Sequence, residues 1–586
     1  MTEPRHDPLR QPGRLVTPHQ LPAVLVERDL FLAACPGSGK TRTAAVRVAR
    51  LAEDGRRVAL CSYTNTGINE LRETLAHDVG HTLGPQHFSG TVHQFLLRYV
   101  LHPFGQLAIG CAGSPRVLGP DASSWPHIVF DKPSIRLALD RFQFRPDGTL
   151  CLRGKDPKFP YDSSTAVRMR GERARNEKVR LARYRGWVST DDAMYWALQV
   201  LRQNPWIANA ITRRFDEILV DEAQDTSELQ LACLREIHQT GTLASLTLVG
   251  DLDQSIYSYN GAHPAGCAEL AHHRGLELVV LRENRRCSQL VCNLTAPLHA
   301  RAAPDVATGP DRDCTLQPEV VLYPTKHPAA VVEPFRARLT ALGEDLNDAA
   351  VLARTNDLVL AINGDTTPKG VNKKALAIAR LVHTQQSGGT LGRRDLERLD
   401  RALAVIAWDR EDLLDIPLDI RRTLRQASMA LLAAAPPLNT DLGSWTEYLR
   451  RPMTDAVARL ADRPAHAIGQ WLRVTKEMGQ HDLTQLVDQT EPALRARTVH
   501  DIKGATRSSV LLVLGSGRRG RRSAAEVLGL ALTGQEIPPD VTEEARIAYV
   551  AMTRARRFCR LGLPDATPRA VVDLFIDSGF RLGKGS

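Results

Sequence analysis

The eight residues ACPGSGKT, Ala34 to Thr41, restrict the fold of this chain more than any other sequence feature. They follow an apolar run, LFLAA at 30–34, that predicts a strand, and they precede an amphipathic pattern that predicts a helix through Arg50. A strand, a glycine-rich turn and a helix in this order form a phosphate-binding loop. We therefore expect an α/β fold in which helices wrap a parallel sheet.

The loop matches the pattern G-x-x-x-x-G-K-[ST] except that alanine replaces the first glycine. Glycines let the backbone amides point at phosphate oxygens, the lysine reaches the β- and γ-phosphates, and the final hydroxyl holds Mg²⁺. A chance glycine-rich turn is the alternative, and the flanking strand and helix disfavour it. The predicted nucleotide-binding residues are Ala34, Pro36, Gly37, Ser38, Gly39, Lys40 and Thr41, with Thr41 also a metal ligand.

A pair of adjacent carboxylates narrows the chemistry. Asp221 and Glu222 end the apolar run ILV, which predicts a buried strand whose carboxyl end faces a ligand site. Asp221 can bind Mg²⁺ through its water shell, while Glu222 can orient an attacking water as a general base. Such a pair most often lies in a solvated turn, but the preceding β-type residues argue against that alternative.

The remaining pattern predicts two cores, because 586 residues exceed what one hydrophobic core supports. Strands are predicted at 57–63, 217–223, 245–251, 349–356 and 508–516. A stretch with many basic residues at 168–187 and a helical block after residue 371 interrupt this pattern and predict insertions. The expected domains are 1–97 and 210–284 for the first core, 98–209 for its insertion, 285–370 and 491–570 for the second core, 371–490 for its helical insertion, and 571–586 for a tail.

Composition indicates the class of partner. Lys plus Arg number 76 and Asp plus Glu 66, and the resulting formal charge of +10 favours a polyanion. The ten cysteines form no C-x-x-C pair, so no zinc or iron–sulfur site is signalled, and we expect reduced thiols in a cytoplasmic protein. No apolar run approaches the ~18 residues of a membrane span, so no membrane association is expected.

Further motifs follow in a fixed order. DEAQDTSELQ at 221–230 resembles motif II of the UvrD/Rep-type superfamily 1 DNA helicases. The other segments that resemble motifs of that family are VTPHQ (16–20), SYTN (62–65), GTVHQF (90–95), VGDLDQSIYSYNGA (249–262), ENRRCS (283–288), TVHDIKG (498–504) and EEARIAYVAMTRAR (543–556). The resemblance implies two RecA-like cores, each with a mainly helical insertion, that share one ATP and Mg²⁺ site.

The resemblance also implies residue roles around that nucleotide. Gln20 would recognise adenine, and Gln254 would sense the γ-phosphate. Arg286 and Arg554 match the arginine fingers of the family, which bring positive charge to the γ-phosphate from the second core. Gly504 also belongs to the predicted nucleotide site.

One pair of positions departs from the family pattern. Arg285 stands where a tyrosine usually stacks on adenine, and it would face Arg42 across the base. Two cations beside one base are electrostatically unfavourable, so base selectivity stays open.

The DNA-binding residues implied by the resemblance follow the same motifs. Tyrosines are stacking candidates because every base offers a π face, with half-buried core packing as the alternative for each. The basic stretch 168–185 is either a duplex contact or a solvated face. The predicted DNA-binding residues are Tyr63, Thr64, Asn65, Thr91, His93, Tyr257, Tyr259, Arg354 and His500.

Two functions remain open at this stage. The first is a monomeric ATP-dependent translocase and helicase that moves 3′ to 5′ on single-stranded DNA and acts at single-strand/duplex junctions in repair or recombination. The second is an ATP-gated DNA-binding subunit of a nuclease or anti-phage complex that does not unwind DNA by itself. A small-molecule kinase would require the order of the motifs to be coincidence.

Overall fold

The computed structural model describes most of the chain. The described residues are 12–118, 125–129, 136–139, 142–152, 165–239, 243–256, 263–273, 275–301, 303–363, 373–387, 391–408, 418–461, 494–516, 522–538 and 541–583, together with 468, 472, 474, 480, 482 and 483. Contacts between residues divide the chain into two compact units, one of which comprises residues 1–120, 125–363 and 494–586. The other comprises residues 121–124 and 364–493.

The first unit contains two six-stranded sheets, and the first of them carries the glycine-rich loop. Its strands run in the order β6-β1-β5-β4-β2-β3, and every neighbouring pair is parallel. All six carboxyl ends therefore meet at one edge, where ligands bind in sheets of this kind. The strands are β1 Leu30–Ala34, β2 Val58–Ser62, β3 Phe88–Thr91, β4 Glu217–Asp221, β5 Ser245–Gly250 and β6 Glu277–Leu281.

The second sheet is also entirely parallel, with the order β9-β8-β10-β11-β7-β12. Its strands are β7 Glu319–Tyr323, β8 Ala349–Ala353, β9 Ala496–Thr498, β10 Arg507–Val513, β11 Ala555–Pro564 and β12 Arg581–Leu582. The predicted α/β class with two parallel-sheet cores is confirmed.

Helices connect the strands and cover the sheets. They are α1 Leu21–Leu25, α2 Lys40–Glu53, α3 Asn65–Glu73, α4 Val92–Leu96, α5 His102–Ile109, α6 Thr165–Arg185, α7 Thr190–Gln203, α8 Pro205–Arg214, α9 Glu228–His238, α10 Pro264–His273, α11 Gln289–Thr295, α12 Val332–Leu342, α13 Asn356–Ile362, α14 Lys373–Gln386, α15 Arg393–Trp408, α16 Leu418–Ala434, α17 Leu442–Ala458, α18 Ala524–Leu532, α19 Thr542–Met552 and α20 Arg569–Asp577. None of the helices in the described residues is both long and apolar enough to span a bilayer.

A buried ion pair fixes α2, the helix after the loop, to the first sheet. Arg47 on α2 donates from Nε and Nη2 to the two carboxylate oxygens of Glu217 on β4, at 2.7 and 2.9 Å. Its Nη1 also donates to the carbonyls of Ala23 and Val26. Since both partners are almost fully buried, removal of either would leave an uncompensated charge. This fork holds the middle of α2 against the amino end of β4.

The predicted insertion at 98–209 is mainly helical in its described residues, and it also contains short strands that were not predicted. Its helices α6 and α7 lie among short two-stranded ladders, which pair 116–118 with 187–189, 127–129 with 136–138, and 142–144 with 150–152. These strands are only three residues long and lie among proline and glycine. Sequence periodicity carries little signal over so few residues.

The predicted tail at 571–586 is wrong as far as residue 583. Helix α20 buries Phe575, and β12 adds a sixth strand to the second sheet by pairing Arg581 with Glu319. Burial of Phe575 and Phe580, whose rings meet edge to face, is what holds this segment against the sheet.

The second unit is helical in its described residues. Helices α14 to α17 enclose a core around Trp445, which is fully buried and donates from Nε1 to the carbonyl of Pro436. Inside this unit Asp400 accepts hydrogen bonds from Arg425 and Ser428. This helical character follows the sequence pattern of the block after residue 371.

Candidate active site between the two sheets

The glycine-rich loop lies at the carboxyl end of β1, and two positive φ angles shape it. Gly37 has φ +71° and Gly39 has φ +76°, a region that favours glycine, and α2 begins directly afterwards at Lys40. A Cβ on Gly37 would lie only 2.5 Å from Cβ of Arg286. The loop therefore has the form of a phosphate cradle. Arg286, which belongs to the predicted second core, packs against it.

Lys40 faces the carboxylates at the end of β4. Its Nζ lies 2.5 Å from Oε1 of Glu222. Burial disfavours the charged form of Lys40, but Glu222 and Asp221 outweigh that effect and raise its pKa. Burial also disfavours the charged form of Glu222 and by itself would raise its pKa. Lys40 and Lys503 outweigh burial and lower the pKa, so that Glu222 stays ionised. The site thus holds its lysine and its candidate base as an ion pair.

Glu222 has an unusual backbone conformation. Its φ of +53° and ψ of +40° make it the one non-glycine residue with positive φ in the described part of the chain. A hydrogen bond of 2.6 Å from Nε2 of Gln224 to Oε2 fixes the side chain. Backbone strain of this kind costs roughly 1–3 kcal/mol and clusters at functional sites. The turn aims the carboxylate toward the loop.

The two predicted finger arginines reach this edge from the part of the chain that follows β6. Arg554 is 2% exposed, and its Nη2 donates to Oε1 of Gln254 at 3.0 Å. Burial and the nearby Arg286 lower the pKa of Arg554 to about 9. Arg286 donates from Nη1 to the carbonyl of Thr553 at 3.3 Å. Two guanidinium groups are therefore held close together, an arrangement that an anion between them would stabilise.

Backbone contacts hold the loop against these arginines. The amide of Arg285 donates to the carbonyl of Gly37 at 3.0 Å, and Oδ1 of Asn284 accepts from the amide of Arg286. Lys40 and the two predicted finger arginines, Arg286 and Arg554, therefore lie within one compact unit. It allows a triphosphate bound by the loop to be neutralised from both sides.

Sequence reasoning missed the role of Lys503. Its Nζ is paired with Asp225 and lies 3.6 Å from Oε2 of Glu222. Burial raises the pKa of Asp225 to about 6, although Lys503 opposes this. The position next to Gly504 in the segment TVHDIKG was the available signal, because both belong to one predicted motif. Gly504 itself has φ +91°, and a Cβ there would approach Glu70.

The residues present fit a magnesium ion. Oδ1 of Asp221 is buried and accepts no hydrogen bond from the described residues, and burial raises the pKa of this carboxyl to about 7. A hydrated cation would bind an unsatisfied buried carboxylate oxygen of this kind beside a phosphate cradle. The described residues contain no cluster of three or more His, Cys, Asp or Glu able to hold a metal. A magnesium ion here would take its remaining oxygens from Thr41, water and phosphate.

Gln20 and Arg42, two of the residues predicted around the base, have partners within the protein. Both polar groups of Gln20 have protein partners, since Nε2 donates to the carbonyl of Ser38 at 2.8 Å and Oε1 accepts from the amide of Thr17. Arg42 donates to the carbonyl of Leu15, and the side chain of Arg285 is exposed. Gln20 therefore braces the loop in this structure, and adenine recognition stays a prediction.

Several predicted DNA-binding residues have local structural roles. Thr64 caps α3 by accepting from the amide of Gly67, and Thr91 caps α4 in a reciprocal box with Gln94. Asn65 is the first residue of α3, and Tyr63 is half-buried before it. Tyr257 and Tyr259 lie outside the described residues, and their stacking role stays a prediction.

The remaining three candidates have identifiable partners. Burial lowers the pKa of His93 to about 4, with Asp191 nearby opposing the shift. Arg354 forms an ion pair with Glu544 on α19. Nε2 of His500 lies 3.1 Å from the carbonyl of Ile256, directly before the segment 257–262. Of the three, His500 is the one that connects the segment TVHDIKG of the predicted second core to a segment of the predicted first core.

The chain is similar in sequence to known DNA helicases. The sequence profile of the UvrD/REP helicase N-terminal domain matches residues 16–109 and 164–274. The chain is 26% identical to the ATP-dependent DNA helicase UvrD1 of Mycobacterium leprae, over 49% of this chain and 39% of that protein. It is 26% identical to the ATP-dependent DNA helicase UvrD2 of Mycobacterium tuberculosis, over 62% of this chain and 50% of that protein.

A shorter match concerns another kind of relative. The chain is 31% identical to an ATP-dependent helicase/nuclease subunit of Natranaerobius thermophilus, over 25% of this chain and 11% of that protein. The chain thus spans half or less of the length of these relatives. The matched profile nevertheless covers the loop, Asp221 and Glu222, and the later motifs complete the site around them. Over the matched residues the chain is therefore similar to helicases of the UvrD/REP type.

Proposed function

We propose that this chain is an ATP-driven motor that moves 3′ to 5′ along single-stranded DNA and unwinds duplex at single-strand junctions. The observation that carries the proposal is the meeting of Gly37 and Arg286, because it brings the phosphate cradle of one sheet against the arginines that accompany the other. A nucleotide bound there would stabilise the closed arrangement of the two cores, and hydrolysis would release it.

Hydrolysis requires a proton acceptor beside the γ-phosphate. Phosphate oxygens would compete with Glu222 for Lys40, because both are anions within reach of the same ammonium group. Glu222 would then be free to accept a proton from water as the water oxygen bonds to the γ-phosphorus and the bond to the β–γ bridging oxygen breaks. Arg286 and Arg554 would stabilise the charge on the departing ADP and the γ-phosphoryl oxygens. Magnesium, held by Thr41 and Asp221, would supply further positive charge to the phosphates.

Gln254 supports the coupling of this site to movement. Its side chain connects Asp251 at the end of β5 with Arg554, and the segment 257–262, which carries the predicted stacking tyrosines, follows three residues later. A change in the position of Arg554 during hydrolysis would therefore move Gln254 and, through the backbone, the predicted DNA-contacting segment that follows it. The relatives are DNA helicases by name, which supports DNA as the polymer on which the chain acts.

The exposed face of α6 supports contact with a nucleic acid. In its described portion Arg173, Arg175, Arg183 and Arg185 are exposed. Exposed guanidinium groups neutralise phosphates without regard to sequence, as a motor requires. We further propose that the chain acts as a monomer in the cytoplasm, in repair or recombination.

A duplex with either a 3′ or a 5′ single-stranded tail tests this function. We expect ATP-dependent strand separation of the 3′-tailed duplex and none of the 5′-tailed duplex. Unwinding from the 5′ tail alone would contradict the polarity. Lys40→Ala, which removes the ammonium group, serves as the inactive control.

The match to a helicase/nuclease subunit favours one alternative, an ATP-gated DNA-binding subunit that serves a nuclease. Strand separation measured with and without co-purified proteins distinguishes the two. DNA-stimulated ATP hydrolysis without strand separation by the isolated chain would favour the alternative.

A further inference from the structure

Arg301 lies outside every motif of the sequence analysis, yet it occupies a buried cluster of carboxylates. It follows α11, and its guanidinium forms a fork with Asp305, with Nε to Oδ1 at 2.9 Å and Nη2 to Oδ2 at 3.2 Å. Nη2 also donates to the hydroxyl of Tyr549 on α19 at 2.5 Å. These contacts fix the guanidinium to the part of the unit that carries the second sheet.

The same guanidinium reaches the first sheet. Nη1 lies 3.2 Å from Oδ1 of Asp251, the residue directly after β5, and 3.6 Å from Oδ2 of Asp253. The side chain of Asp251 is 1% exposed and that of Arg301 is 11% exposed, so water screens this pair poorly. Asp251, Asp253 and Asp305 thus share the positive charge of Arg301.

Asp251 lies at the centre of a hydrogen-bond chain between the candidate base and a finger. Its Oδ2 accepts from Nε2 of Gln254 at 2.8 Å, and Oε1 of Gln254 accepts from Arg554. In the other direction its amide donates to Oε1 of Gln224 at 3.2 Å, and Nε2 of Gln224 donates to Glu222. The series of hydrogen bonds therefore connects Glu222 to Arg554 through Asp251.

The orientation of Gln254 depends on that aspartate. An amide has a donor end and an acceptor end, and only the acceptor end can receive the guanidinium of Arg554. Because the carboxylate of Asp251 takes the donor end, the oxygen of Gln254 must face Arg554. If Asp251 turned away, this orientation would no longer be enforced.

We propose that Arg301 is a positioning residue for ATP hydrolysis, which holds Asp251 so that Gln254 is directed at Arg554. The inference rests on the proposed function, because it assigns Arg301 to the same hydrolytic site. Without the guanidinium, three carboxylates would repel one another inside a buried cluster. The finger would then lose its fixed direction while the phosphate cradle remained intact.

Steady-state ATP hydrolysis with saturating single-stranded DNA tests the proposal. For Arg301→Met we expect kcat to fall by about 10- to 100-fold, as misplacement of a catalytic group does. The Kd for a fluorescent N-methylanthraniloyl ADP should stay within about threefold, because the loop is unchanged. Arg301→Lys keeps the charge without the fork and should lie between the wild type and Arg301→Met.

A matched buried arginine provides the structural control. Arg560 on β11 is 2% exposed and pairs with Glu319 inside the second sheet, away from Asp251. Arg560→Met should lower the Tm but leave kcat per folded molecule unchanged. If Arg301→Met does not fold, Tyr549→Phe removes the hydroxyl that contacts both Arg301 and, at 3.5 Å, Oδ2 of Asp251, and a severalfold loss of kcat with unchanged Kd is expected.

A double-mutant cycle separates positioning from general destabilisation. If Arg301 acts through Gln254, adding Arg301→Met to Gln254→Ala should cause little further loss of kcat. Independent multiplication of the two losses, or a normal kcat in Arg301→Met, would overturn the inference. A wild-type chain without DNA-stimulated hydrolysis would instead overturn the proposed function.

Discussion

At the scale of single residues, the candidate site is a set of buried, paired charges at the carboxyl edge of the first sheet. Lys40, Asp221, Glu222 and Arg554 are named by motif and are all found at the predicted edge of the first sheet. The positive φ of Glu222 has no sequence signal, since it depends on how β4 ends against Gln224. Nor does a motif reveal the internal partners of Gln20, which contacts the loop through Ser38, whereas the resemblance implied that it recognises adenine.

The approach of Gly37 to Arg286 yields the first residue-scale prediction. In Gly37→Ala the new Cβ would lie 2.5 Å from Cβ of Arg286 and would also require φ +71°. Closure of the site should therefore be blocked, and we expect DNA-stimulated ATP hydrolysis to fall by at least about 100-fold. Gly55→Ala is the control, because it has φ +76° with no atom within 4 Å of the added Cβ. Equal activity of both variants would refute close packing at Gly37.

Asp253 yields a prediction about pH. Burial and Asp251 raise the pKa of this carboxyl to about 6 from a usual value of 3.8. The folded state therefore binds a proton that the unfolded state has lost, so this group favours folding below pH 4 and loses that contribution as pH rises through 6. Asp253→Asn should be more stable than the wild type by about 1–3 kcal/mol at pH 7.5, with the difference shrinking toward pH 4. Urea unfolding across this range measures it, and a difference independent of pH would show that Asp253 is not perturbed.

At the scale of elements, periodicity locates long elements and misses short ones. The predicted strands at 217–223 and 245–251 are found as Glu217–Asp221 and Ser245–Gly250. Strand β12 has two residues, and its existence depends on pairing with Glu319 more than 250 positions earlier. Only tertiary contacts can establish such an element, so the sequence could not separate it from a tail.

The carboxyl-terminal helix gives the element-scale prediction. Phe575 is fully buried, whereas its neighbour Ile576 on the same helix is 36% exposed. Phe575→Ala should lower the free energy of unfolding of its unit by about 3–5 kcal/mol through the cavity it leaves. Ile576→Ala should change that free energy by less than about 1 kcal/mol. Thermal unfolding of both variants checks this, and a similar small shift in each would mean that α20 does not stabilise the second sheet.

At the scale of the whole molecule, one candidate site draws its groups from two sheets. The order of the motifs along the sequence implied this arrangement, but Lys503 and Arg301 emerge only from the folded chain. Both place cations from the part of the unit that carries the second sheet on carboxylates that follow strands of the first sheet. The closed site is thus stabilised by ion pairs that a nucleotide would rearrange.

The most direct measurement compares Arg554→Ala with the wild type in single-turnover ATP hydrolysis on single-stranded DNA. We predict that Arg554→Ala binds N-methylanthraniloyl ADP within about threefold of the wild type but hydrolyses ATP about 10³-fold or more slowly, as loss of an arginine finger does. Lys40→Ala should lose hydrolysis as well, which identifies the background rate. Hydrolysis by Arg554→Ala at the wild-type rate would show that the second sheet contributes no charge to the phosphates, and the account would be wrong.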